Sequence, residues 1–131
     1  MTTGRRILVV DDDATNRLVV RVLLERRGFE IVEAEGGAEA LDLFARVGAD
    51  LVLMDLSMPD MDGFETTRRL RAAGPGGAAV PIVALTAHTS AAERAACDAC
   101  GMDGFLEKPF DVQVAMHSIR FMLDPPIARS C

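Results

Sequence analysis

The sequence predicts a doubly wound α/β domain in which five parallel strands alternate with five helices. Three observations predict it. Short apolar runs alternate with stretches of helical period along nearly the whole chain, joined by short connections, which is the pattern of successive β-α units. The run Leu51-Val52-Leu53-Met54 is too short for a buried helix and reads as a strand covered on both faces. That run stops abruptly at Asp55, before a loop containing Pro59 and Gly63. A carboxylate against such a strand calls for a partner, because burying an unpaired charge is costly.

The elements follow in order. Arg5 to Val10 reads as the first strand, closed by Asp11-Asp12-Asp13. Ala14 to Arg27 is helical, with Leu18, Val22 and Leu23 at helical spacing, Asp13 placed to cap it and Gly28 to stop it. Phe29 to Ala34 is a second strand. Gly36-Gly37 opens a helix with Ala40, Leu41, Phe44 and Val47 on one face, ending at Gly48. The third strand ends at Asp55. A helix from about Phe64 to Ala73 carries Phe64, Thr67, Leu70 and Arg71, and Gly74-Pro75-Gly76-Gly77 ends it. Val80 to Leu85 is the fourth strand, ending at Thr86-Ala87-His88. Thr89 or Ser90 can cap the fourth helix, which stops at Gly101. Gly104 to Glu107 is the fifth strand, followed by Lys108-Pro109. Asp111 can cap the last helix, whose apolar positions are Val112, Ala115, Met116, Ile119, Phe121 and Met122. Asp124-Pro125-Pro126 stops it. One domain is expected over 5–123, with a tail at 1–4 and a tail or linker remnant at 124–131.

Composition narrows the function classes. The chain has 131 residues, half of them apolar and about a quarter charged, enough for one domain with its own core. Its net charge of −6 offers no electrostatic footprint for nucleic acid. The apolar run after Arg5-Arg6 is too short for a signal peptide, and no segment approaches the ~20 apolar residues of a membrane helix. The expected location is cytoplasmic. Cys97 and Cys100 form a C-x-x-C inside an Ala-rich helix, where positions three apart share a face. With no second Cys/His pair to complete a zinc site, they read as small buried residues.

The chemistry-bearing residues collect at one end. The first strand ends in Asp11-Asp12, the third in Asp55, the fourth in Thr86, and the fifth in Lys108. Open parallel sheets bind ligands at their carboxyl edge, where strand order reverses. If the order is 2-1-3-4-5, the first and third strands are neighbours about 4.8 Å apart, and the three carboxylates converge. Lys108 starts two strands away, roughly 10 Å off, within reach of its long stem. Converging carboxylates repel and raise at least one pKa. A hard divalent cation removes the conflict, and Mg²⁺ suits such a site. An Asp nucleophile, a balancing Lys and a hydroxyl donor are the parts phosphoryl transfer requires. Asp42, Asp50, Asp60, Asp98 and Asp103 read as surface charge. His88 can line the pocket mouth, and His117 in the last helix reads as structural or exposed.

At this point the sequence resembles the receiver domain of two-component response regulators, over about Arg5 to Leu123. The motifs are Ile7-Leu8-Val9-Val10-Asp11-Asp12-Asp13, Met54-Asp55-Leu56-Ser57-Met58-Pro59-Asp60-Met61-Asp62-Gly63, Ile82-Val83-Ala84-Leu85-Thr86-Ala87 and Lys108-Pro109-Phe110. The resemblance implies a flavodoxin-like (βα)5 fold, with Asp55 accepting a phosphoryl group from a sensor histidine kinase or a histidine phosphotransfer protein. It implies that Asp11, Asp12, Asp55 and the backbone carbonyl of Ser57 hold Mg²⁺, with Mn²⁺ as a substitute, and that Thr86 and Lys108 contact the phosphoryl oxygens. It also implies a cis Lys108-Pro109 bond. Phe105 matches the switch aromatic of the family; lacking a hydroxyl, it would report through packing alone. Thr86 and Phe105 would move together and change the face of the fourth helix, fifth strand and fifth helix, where a downstream protein would bind; the last helix lacks the alternating acidic and basic residues of DNA-binding regulators that dimerise through this face, and a homodimer is otherwise compatible with the resemblance. Leu85-Thr86-Ala87 and Gly101-Met102-Asp103 look most like receivers attached to hybrid sensor kinases. Ser57 and His88, two residues beyond Asp55 and Thr86, sit where they could admit or block hydrolytic water.

A rival reading is an enzyme. Asp11-Asp12-Asp13-Ala14-Thr15 also fits the D-x-D-x-T opening of haloacid-dehalogenase-like Mg²⁺-dependent phosphatases, with Asp11 as nucleophile and Asp13 as acid/base. Against it, no acidic pair follows Lys108, the chain lacks room for a further strand and a cap, and Asp55 with its loop is left unexplained. A second rival is a protein-binding module with this fold and no phosphorylation, against which all the pocket residues are present.

Overall fold

The computed structural model describes residues 4–87 and 90–124. His88, Thr89 and the expected C-terminal tail from Pro125 therefore lie outside the described residues. The strands are β1 (Arg6–Val10), β2 (Glu30–Ala34), β3 (Leu51–Asp55), β4 (Ile82–Thr86) and β5 (Gly104–Glu107). The helices are α1 (Ala14–Glu25), α2 (Gly37–Val47), α3 (Gly63–Ala72), α4 (Pro75–Ala79), α5 (Ala91–Cys100) and α6 (Val112–Leu123). The fourth and fifth helices expected from sequence are thus α5 and α6.

All strand pairings are parallel, in the order β2-β1-β3-β4-β5. This is the flavodoxin-like sheet that the sequence predicts. Successive strand side chains point to opposite faces, and the core splits accordingly. Leu8, Val10, Val52, Met54, Ile82 and Ala84 face α2, α3 and α5 with Ala40, Leu70, Cys97 and Cys100. Ile7, Val9, Leu51, Leu53, Val83 and Leu85 face α1 and α6 with Val20, Leu24, Ala115, Met116 and Ile119. Every residue of β3 and β4 is buried, as strands covered on both faces must be. A fully buried Leu or Ile contributes roughly 1.5–3 kcal/mol of transfer free energy, so the central strands are a rigid base for what stands at their ends.

The caps follow the sequence. Asp13 accepts from the N–H groups of Thr15 and Asn16, Ser90 from Glu93, and Asp111 from Gln113 and Val114. Gly101 closes α5 in the left-handed region at φ 98°. Two expectations change. Gly74-Pro75-Gly76-Gly77 does not merely end α3; it opens the short α4, with Pro75 in the first turn, where its missing N–H costs nothing. And α1 turns a different face inward: it buries Arg17, Val20 and Leu24, while Leu18 is about half exposed at 49%.

Asp103 is also more than surface charge. It accepts from the Ile82 backbone N–H at 2.8 Å and from Arg71 at 2.9 Å. Arg71 further donates to the carbonyls of Gly77, Val80 and Gly101, tying α3 to the ends of α4 and α5. Asp50 likewise accepts from the Arg6 N–H at 2.7 Å. Such contacts satisfy backbone groups that strand ends and helix ends leave unpaired.

Candidate functional site

The register of β1 against β3 pairs Val10 with Met54, so Asp11 and Asp55 follow on adjacent strands. Both are buried, at 1% and 3% exposure, and Asp12 beside them is exposed. One oxygen from each of the three carboxylates lies within 4.8 Å of the others. The Asp11 backbone is clamped: its N–H donates to Ala34 O at 3.1 Å, and its carbonyl accepts from buried Arg17 at 2.6 Å. Arg17 in turn pairs with Glu33 at 3.1 Å. Asp11 Oδ1 accepts from the Asp13 N–H at 2.9 Å, whereas buried Oδ2 has no hydrogen-bond partner.

Lys108 enters from the far side of β4. Its N–H donates to Thr86 O at 2.8 Å, and Lys108-Pro109 is cis. Its Nζ reaches Asp55 Oδ1 at 3.1 Å and stands 3.6 Å from Asp11 Oδ2. Burial pushes the Asp55 carboxyl up to about 6 and the Asp11 charge adds to it, while the Lys108 hydrogen bond opposes the rise. Burial works against the Lys108 ammonium, yet the hydrogen bond to Asp55 and the two nearby carboxylates outweigh it and raise its pKa. The Ser57 N–H, on an exposed residue, donates to Asp55 Oδ1 at 3.3 Å. The chain then turns tightly enough that Gly63 lies against the Asp55 backbone carbonyl, where a Cβ would collide. That close approach explains glycine at this position.

The donor set fits a hard divalent cation. Converging carboxylate oxygens, one buried oxygen without a hydrogen bond and an exposed acid at the rim are what such an ion takes up. Asp13 stands outside this set: its carboxylate caps α1, which removes it from the acid/base role that the phosphatase reading gave it. A cleft of about 170 Å³ between α1 and the Lys108-Pro109-Phe110 stretch opens onto Asp11 and Lys108.

Thr86 is buried at the end of β4, and its hydroxyl donates to Glu93 of α5 at 2.5 Å. Phe105 on β5 is partly buried against the core, and the Arg94 guanidinium lies 4.3 Å from its ring centre. Charge as well as packing therefore holds that ring. Sequence reasoning missed Arg17, Glu93 and Arg94. Arg17 carried a signal, one turn after Asp13 on a helix whose start was recognised. Glu93 and Arg94 carried none, because a charged pair in the first turns of a capped helix reads as a solvated face. Cys97 and Cys100 are buried free thiols whose pKa values burial raises, in keeping with a packing role.

Comparison with known proteins agrees with this arrangement. Residues 7–120 match the response regulator receiver domain family. The chain is 46% identical over 106 residues to sensor protein GacS of Pseudomonas syringae pv. syringae, covering 79% of this chain and 12% of that protein. It is 42% identical over 118 residues to response regulator MprA of Mycobacterium sp. (strain KMS), covering 90% of this chain and 50% of that one. The chain thus spans half or less of these two relatives. Among solved structures, chemotaxis protein CheY4 of Vibrio cholerae superposes with a TM-score of 0.88 at 30% identity, covering 92% of this chain and 100% of that one. The receiver domain of sensor histidine kinase PA1611 from Pseudomonas aeruginosa PAO1, solved with a magnesium ion in its active-site cleft, does so with a TM-score of 0.84 at 32% identity, covering 92% and 98%. Among the described residues no helix is long and apolar enough to cross a membrane. With its strand order, its carboxylate cluster and this family match, the chain belongs to the response regulator receiver domains, the signalling domains of two-component systems.

Proposed function

We propose that this receiver domain accepts a phosphoryl group on Asp55, from a phosphohistidine of a sensor histidine kinase or a histidine phosphotransfer protein. The observation that carries the reading is the convergence of Asp11, Asp12 and Asp55 within 4.8 Å, with the Lys108 ammonium 3.1 Å from Asp55. In the transfer, an Asp55 carboxylate oxygen bonds to phosphorus as the phosphorus–nitrogen bond of the donor breaks. The electron pair leaves on the imidazole nitrogen, which takes up a proton. Little else is asked of the protein than positioning and charge neutralisation. Lys108 balances charge on the transferred oxygens, and Thr86 donates a hydrogen bond to one of them.

Asp11, Asp12, Asp55 and the Ser57 carbonyl would hold Mg²⁺, with Mn²⁺ as an alternative, and the bound ion supplies neutralisation of the carboxylates and the incoming phosphate. Small donors such as acetyl phosphate would serve in place of the kinase, and the acyl phosphate would hydrolyse on the domain itself. The signal leaves through the α5-β5-α6 face to a downstream protein, with no direct role for nucleic acid or membrane, and the reading is compatible with a homodimer. The same reading sets the domain at 5–123 and a cytoplasmic location. Sensor protein GacS, of which this chain matches 12%, supports a kinase-attached origin, and CheY4, matched over 100% of its chain, supports a stand-alone one.

Intact-protein mass spectrometry with Mg²⁺ and acetyl phosphate tests the reading on wild type, Asp55→Asn and Asp11→Asn. One added phosphoryl group in wild type, lost in Asp55→Asn, is expected. A label that survives Asp55→Asn and vanishes in Asp11→Asn would move the nucleophile to β1 and overturn it.

A further inference from the structure

Two adjacent residues of α5 hold the two side chains that the acceptor reading requires to move. Thr86 Oγ1 donates to Glu93 Oε1 at 2.5 Å, within the range of a hydrogen bond to an ionised acceptor. A threonine hydroxyl carries one proton. While that proton is given to Glu93, it cannot also be given to a phosphoryl oxygen. Glu93 is held at the start of α5, where its backbone N–H donates to the capping Ser90 Oγ at 3.1 Å, and the residue is half-buried. The next residue, Arg94, lies over Phe105 at 4.3 Å from the ring centre. Phe105 pairs in register with Ala84, two residues before Thr86 on the neighbouring strand. The first turn of α5 therefore grips both β4 and β5 through the two residues expected to switch.

We propose that Glu93 and Arg94 are positioning residues that form a latch, holding Thr86 and Phe105 in the unphosphorylated arrangement. The latch rests on the acceptor reading above. Phosphorylation must take the Thr86 hydroxyl away from a carboxylate and draw Phe105 from beneath a cation. Both costs subtract from the affinity of the site for a phosphoryl group, since binding is weakened by the fraction of molecules not yet competent. Releasing Glu93 also frees the start of α5 to shift, which carries the change to the α5-β5-α6 face.

The test is calorimetric titration of the full chain with beryllofluoride, a phosphoryl mimic, at saturating Mg²⁺. Glu93→Ala should tighten the apparent Kd roughly three- to tenfold, as expected for losing a charge-assisted hydrogen bond that water partly replaces. Glu93→Gln, which keeps the shape and a neutral acceptor, should tighten it less. In a Thr86→Ala background either substitution should change Kd by less than about twofold, because the competing proton is gone. Removing the Glu93 charge could favour an anion through space, but that effect would persist without Thr86. Arg94→Ala should tighten binding about two- to fivefold, and lose this effect in a Phe105→Ala background. Unchanged affinity in Glu93→Ala and Glu93→Gln, or equal tightening with and without Thr86, would overturn the Glu93 half; the corresponding results for Arg94 and Phe105 would overturn the other. Binding to wild type that survives Asp55→Asn, or no binding to wild type, would overturn the acceptor reading itself and the latch with it.

Discussion

Lys108 Nζ stands 3.1 Å from Asp55 Oδ1 and 3.6 Å from Asp11 Oδ2, a single ammonium facing two buried carboxylates. Its hydrogen bond opposes the burial that drives the Asp55 carboxyl up to about 6. Removing the ammonium leaves burial and the Asp11 charge opposed by the Ser57 N–H bond alone. A carboxyl-carbon NMR titration of metal-free protein should put the Asp55 midpoint near 6 in wild type, and higher in Lys108→Ala. An unchanged midpoint would show that the pair does not set the charge of the site.

The same shift makes the metal-free protein lose stability as pH rises. The folded chain keeps the Asp55 proton up to about pH 6, whereas the unfolded chain releases it near 3.8. Stability from this group is complete below the unfolded value and lost as pH climbs through the folded one, a change on the order of 3 kcal/mol. Other carboxylates titrate over the same interval, so the clean measure is the difference between wild type and Asp55→Asn in urea unfolding without Mg²⁺. The asparagine variant should gain about 2–3 kcal/mol on wild type between pH 3.5 and pH 7. A constant difference would contradict the argument.

Ser57 is exposed at the rim, with its N–H on Asp55 Oδ1, and His88 follows Thr86 by two positions in the sequence. Replacing either should change the rate at which phosphorylated protein loses its label more than it changes the labelling yield. Following the decay of label by intact mass after donor removal checks this. Equal decay in wild type, Ser57→Ala and His88→Ala would refute it.

The strand ends were legible because each apolar run is broken by a polar residue that the sheet cannot absorb: Asp11, Asp55, Thr86 and Lys108. Strand order placed them together, and parallel β-α units leave few orders to choose from. What stayed hidden is long-range or ambiguous. Arg17 lies one turn after the Asp13 cap, but the Glu33 carboxylate that helps draw it inward comes from another strand. Gly74-Pro75-Gly76-Gly77 carries both a stop and a start, since Pro favours the first turn of a helix. The Thr86–Glu93 bond joins the end of β4 to the first turn of α5, a pairing that no local pattern dictates. On α1, Leu18 obeys the helical period but lies on the outer side, because the position of the neighbouring strands decides which face turns inward.

The most direct measurement locates the phosphoryl group on the chain. Protein labelled with acetyl phosphate and Mg²⁺ is reduced with borohydride, which converts an aspartyl phosphate to homoserine, and its peptides are then sequenced by mass spectrometry. Homoserine at position 55, with position 11 still aspartate, is the predicted result. Homoserine at position 11, with position 55 unmodified, would contradict the assignment of Asp55 as the acceptor.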